Sequence, residues 1–121
     1  VDLSCRFIVG EYLLDKSHDI LYRLARSPLL WDNRIAIVST YAFIRKGQLE
    51  DTYALGDLMM HHTHDLMHKA IGWMLREAGK RDVERLRLFV ESHRLEMPRT
   101  MLRYAIEKFS PQERSILMRR T

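Results

Sequence analysis

Apolar residues recur at helical spacing along almost the whole chain, with polar residues filling the intervening face. The stretch 2–14, "DLSCRFIVGEYLL", reads as a first helix. Ser17 can cap a second over about 18–26, and a third runs near 30–46 until Gly47 ends it. A shorter helix covers about 50–60. Thr63 is the expected cap of the next, which should stop at Gly79. Asp82 is placed to cap a helix over about 83–93. Pro98 stands near the first turn of another, in "MPRTMLRYAIEKF". Ser110, Pro111 and Glu113 have the spacing of a capping box before a last helix.

Eight helices on short connections predict an all-α fold of stacked antiparallel hairpins, a HEAT-like α-solenoid. An internal echo points the same way. The dipeptides Ala36-Ile37, Ala70-Ile71 and Ala105-Ile106 recur at spacings of 34 and 35, and Arg34, His68 and Arg103 stand two residues before each alanine. Two-helix solenoid repeats have periods of roughly 34–47 residues. All 121 residues are read as one such domain. The opening "VDLSC" lacks both an initiator Met and a helix cap, so Val1 is read as an internal residue of a larger domain.

Composition adds a direction. With 46% apolar and 30% charged residues a packed core is expected, and five Gly and three Pro are too few for a hairpin-rich β fold. The formal charge of +4 and a pI near 9.5 lean toward anionic partners. The single cysteine, Cys5, excludes an internal disulfide, and no apolar run approaches the roughly 20 residues that span a bilayer. A cytoplasmic protein with no membrane association is expected.

Two clusters carry candidate chemistry. His64 and His68 stand at i and i+4, the spacing of a helical zinc pair. Asp65 replaces the glutamate that a metalloprotease helix places there, and no third ligand follows at a telling distance. The plainer reading is a polar helix start, so no metal is assigned. The second cluster is a stripe. At about 100° per residue, Lys69, Trp73, Arg76 and Lys80 fall on one side of their helix, and Met67, Ala70, Ile71, Met74 and Ala78 on the other. Trp73 among cations either presents its ring to a partner or packs beneath the aliphatic stems of Lys and Arg. Arg34, Tyr41 and Arg45 share a stripe on the 30–46 helix, and Arg99 and Arg103 pair at i, i+4. If the hairpins stack in register, these cations and aromatics line one surface suited to a phosphate backbone.

The segments "WDNRIAIVSTYAFIRKG", "HDLMHKAIGWMLREAGKRD" and "MPRTMLRYAIEKF" resemble the DNA alkylation repair family, the AlkD-type glycosylases, over the whole chain. The resemblance is to the C-terminal half of the family domain. It implies a superhelix of HEAT-like hairpins around duplex DNA, and hydrolysis of the N-glycosidic bond of cationic N3- or N7-alkylated purines. It carries the catalytic aspartate onto Asp2, a cleft arginine onto Arg34, and an aromatic and an arginine at the lesion onto Trp73 and Arg76. Arg45, Lys69, Lys80, Arg99, Arg103 and Tyr41 are the candidate DNA contacts. No cofactor is implied, and the expected active form is a monomer on alkylated duplex DNA. The family's "W-D-x-V-D" begins before Val1, as do its N-terminal hairpins. The alternative is a non-catalytic HEAT module that grips DNA or an acidic protein. A zinc hydrolase using His64 and His68 stands third.

Overall fold

The computed structural model describes residues 19–119, and every regular element among them is helical. The helices are α1 (Asp19–Ala25), α2 (Leu30–Arg45), α3 (Glu50–Leu58), α4 (Asp65–Arg81), α5 (Val83–His93), α6 (Arg99–Ala105) and α7 (Pro111–Leu117). Asp2, Cys5 and the helix expected over 2–14 lie outside the described residues. None of these helices is long and apolar enough to cross a membrane.

The helices form two rows. α2, α4 and α6 lie side by side as a spine, α4 in the middle, with α1, α3 and α5 packed onto it. Side chains link the second row in order. Tyr22 Oη donates to Asp51 Oδ1 at 2.7 Å, from α1 to α3. Tyr53 and Phe89 meet at 5.1 Å between ring centres, and His93 lies 3.4 Å from Asp57, both from α3 to α5. Arg87 reaches from α5 to Glu113 on α7. The all-helical stack expected from periodicity is therefore present. Its repeat is physical too, since Ala36, Ile37, Ala70, Ile71, Ala105 and Ile106 are all buried in the spine. Alanine lets neighbouring helices approach, and isoleucine fills the space beside it.

The boundaries follow from capping chemistry. Gly47 has φ +80, which only glycine adopts without strain, and closes α2 with two bonds. Gly47 N–H donates to Ile44 O and Gln48 N–H to Phe43 O, both at 2.9 Å, which is a Schellman end. Asp82 and Ser110 cap α5 and α7 through Arg85 N–H and Glu113 N–H, each at 3.2 Å. Two expectations need correction. α4 is capped by His64, whose Nδ1 accepts from Leu66 N–H at 3.2 Å, and not by Thr63. Nor does α4 stop at Gly79. It runs two residues further, to Arg81, because Gly79 serves packing: a Cβ there would stand 2.3 Å from Leu86 Cδ2.

Candidate nucleic-acid interface

The central helix α4 divides its residues as its sequence demands. Met67, Ala70, Ile71, Met74, Leu75 and Ala78 are buried, whereas Lys69 and Lys80 are exposed and Trp73 and Arg76 lie between the two. Trp73 is half-buried and packs against the core at the edge of this division. Both readings of its ring are partly realised, for it has a core contact and a solvent-facing share. Arg34 and Tyr41 on α2 are half-buried as well, and Arg45 is exposed. Arg34 Nη1 approaches Leu66 O at 3.4 Å, at the start of α4.

The cations of the stripe have acidic company. Lys69 Nζ stands 3.4 Å from Asp65, one turn earlier, and Lys80 Nζ 3.0 Å from Glu77. Arg76 Nη1 pairs with Glu107, beyond the end of α6. The Lys69–Asp65 pair is exposed on both sides, and a pair of that sort contributes about 0–1 kcal/mol and is screened by salt; Glu77 and Arg76 are more covered. The first two pairs are legible as i, i+4 and i, i+3 spacings. Glu107 is not, because only the packing of α6 on α4 brings it to Arg76.

Close packing holds this arrangement. A Cβ on Gly72 would lie 2.6 Å from Tyr104 Cβ and 2.7 Å from Met101 O. α4 and α6 therefore approach closely at the residue before Trp73, and Tyr104 rests against it. Beyond this crossing α4, α6 and α7 enclose a cleft of about 770 Å³, lined by Arg76, Arg103, Tyr104 and Arg114 among others. Arg76 and Arg103 are thus brought together as the stripe suggests. Arg99 does not line the cleft itself but donates through Nη2 to Met118 O at its edge, past the end of α7. Sequence reasoning missed Gly72, Tyr104 and Arg114, whose roles come from contacts between helices.

The histidines are structural neighbours. His62 Nε2 lies 3.0 Å from Asn33 Oδ1, and His62 Nδ1 accepts from His64 N–H at 3.1 Å. His68 Nε2 bonds His62 O. His64 stands before α4 as its cap, so the two imidazoles are not a pair on one helix face, as the zinc reading needs. Among the described residues no three His, Cys, Asp or Glu side chains gather as a metal site.

This geometry, a helical spine with an aromatic between cations, coincides with a family match. The model described as DNA alkylation repair enzyme matches residues 1–109. The chain belongs to the DNA alkylation repair enzyme family. Searches of curated proteins and of solved structures find no match. DNA is the partner of its family's chemistry. The matched span ends after α6, so α7 adds to the cleft from outside it.

Proposed function

We propose that the chain is part of a DNA glycosylase that hydrolyses the N-glycosidic bond of cationic N3- or N7-alkylated purines in duplex DNA. The reading rests on family membership. The observation that carries it is Trp73, half-buried on the spine with Arg76 one turn on and Arg34 on the adjacent helix. In this scheme alkylation has already made the base a cation. The bond from deoxyribose C1′ to the ring nitrogen breaks with its electron pair leaving on the base, which departs neutral. C1′ acquires oxocarbenium character, a water adds there, and that water loses a proton. An ionised carboxylate stabilises the developing charge and orients the water. Asp2 is given that role by the resemblance, and needs no raised pKa to fill it. Trp73 offers a π-face to the cationic sugar or base. Arg34 and Arg76 hold flanking phosphates by charge-assisted hydrogen bonds. The other contacts proposed are Tyr41, Arg45, Lys69, Lys80, Arg99 and Arg103. One chain suffices for such a face, so the proposed active form is a monomer.

The test is release of free alkylated purine from methylated duplex DNA, read by chromatography. Wild-type protein is expected to release it. Trp73→Ala should slow release about thirtyfold, since a desolvated cation–π contact is worth about 2 kcal/mol. Asp2→Asn should cost about 10²–10³-fold, the scale of a lost electrostatic stabiliser. DNA binding with no base released by the wild-type protein would replace this reading with the non-catalytic module.

A further inference from the structure

The cleft between α4, α6 and α7 has a charge imbalance. Three guanidinium groups line it, on Arg76, Arg103 and Arg114, against one carboxylate, Glu107. Glu107 is taken by Arg76. The Arg76 Nε is buried, forms no hydrogen bond and lies 3.9 Å from Glu77 Oε2, so Arg76 is met by two carboxylates and the unbalanced charge of the cleft is that of Arg103 and Arg114. Arg103 and Arg114 have no ion pair or side-chain hydrogen bond among the described residues. Like charges gathered on one concavity repel, and an anion placed among them relieves the repulsion. Tyr104 and Met118 supply an apolar wall in the same cleft. Inorganic phosphate would use the cations and ignore that wall, whereas a sugar–phosphate unit uses both.

We infer that this cleft seats one deoxyribose-phosphate unit of the bound DNA strand, with Arg103 and Arg114 holding the phosphodiester and Tyr104 facing the sugar. The inference rests on the DNA-binding reading above and extends it onto α7, past the residues that match the family. Arg76 belongs to both places, so a strand lying along Trp73 has a cationic path into the cleft. Without DNA, Glu107 occupies Arg76 as an internal anion, and an incoming phosphate displaces it.

Fluorescence anisotropy of a short unmodified duplex against salt concentration tests this. Arg103→Gln and Arg114→Gln should each lower the slope of log affinity against log salt, and together by about 0.9, the value of the one phosphate they share. Tyr104→Ala should weaken binding and leave the slope unchanged. Glu107→Gln should tighten binding about two- to fivefold by removing the competitor. That opposite sign cannot come from general destabilisation. Arg23→Gln on α1, exposed and far in sequence from the cleft, serves as the control and should match wild type. If wild type binds and excises base while the Arg103 and Arg114 variants keep its slope, or Glu107→Gln weakens binding, the cleft assignment is wrong and the glycosylase reading survives. If wild type shows no salt-dependent affinity for DNA, both fall together.

Discussion

Asn33 and His62 form a joint whose protonation state is fixed by its neighbours. The Asn33 amide donates to Leu24 O, Ala25 O and Ser27 O at 2.9–3.1 Å, closing the end of α1. That leaves Asn33 Oδ1 as an acceptor, so His62 Nε2 must carry hydrogen. His62 Nδ1 accepts from His64 N–H and must be bare. The ring is therefore neutral, and adding a proton would set one N–H against another. Burial lowers the His62 pKa below its ordinary 6.5, and the nearby His64 and His68 lower it further. The unfolded chain then binds the proton more readily than the folded one, so stability rises with pH. It is complete above about pH 6.5 and is lost as pH falls through the lowered value. Urea midpoints measured between pH 7.5 and 5 should fall with acid, and His62→Gln should flatten that dependence. A wild-type midpoint that stays constant across the window would show that the joint is not closed as described.

At the scale of elements, two glycines inside helices make opposite predictions. Removing glycine from a helix interior ordinarily gains about 1 kcal/mol. Gly56 on α3 has room, since an added Cβ meets Leu75 Cδ2 at 3.6 Å, an ordinary contact. Gly56→Ala should raise stability by up to about 1 kcal/mol. Gly72 has none, because the added methyl meets Met101 backbone at 2.7 Å and α4 must part from α6. Overpacking of that kind costs about 1–3 kcal/mol and outweighs the gain, so Gly72→Ala should lower the unfolding midpoint. The same contrast shows what a single sequence can reveal. Periodicity placed six helices close to their observed bounds, and Asp82, Ser110 and Gly47 act as the caps and stop their types suggest. Gly79 resembles a stop on local grounds but lies inside the last turn of α4, packed against Leu86 from the next element. Ser110 and Glu113 look like a reciprocal capping box, yet only the Ser110 half forms, because the Glu113 carboxylate is drawn to Arg87. Arg76 reads correctly as part of a stripe, while its partner Glu107 needed the tertiary fold. Asp2, the residue that came from resemblance alone, lies outside the described residues, and only the activity of Asp2→Asn can test it.

For the whole molecule, a stack stabilised between neighbours should not open uniformly. α4 packs against α2, α3, α5 and α6, and Met67, Ile71, Met74 and Leu75 within it are fully buried. α7 hangs on much less. Leu117 is its one buried residue, and its ties include Met118 packed on the core, the Arg87–Glu113 pair and carbonyls at its C-terminal side that accept from Arg94 and Arg99. Arg87 holds the Glu113 carboxyl below the usual range through that hydrogen bond. A depressed carboxylate stabilises the folded form above its unfolded value near 4.5, and this is lost as pH falls through the folded one. Native-state hydrogen exchange should therefore find α4 amides opening only with global unfolding, and α7 amides opening earlier by local detachment. Glu113→Gln should speed exchange in α7 and leave α4 as it was, whereas Met74→Ala should lower protection throughout, at a cost of about 2–5 kcal/mol. Exchange in α7 as slow as in α4, unmoved by Glu113→Gln, would mean that α7 is part of the cooperative core. The distinction bears on function, because α7 carries Arg114. If Arg114 holds a phosphate as inferred above, bound DNA should slow α7 exchange more than that of any other helix.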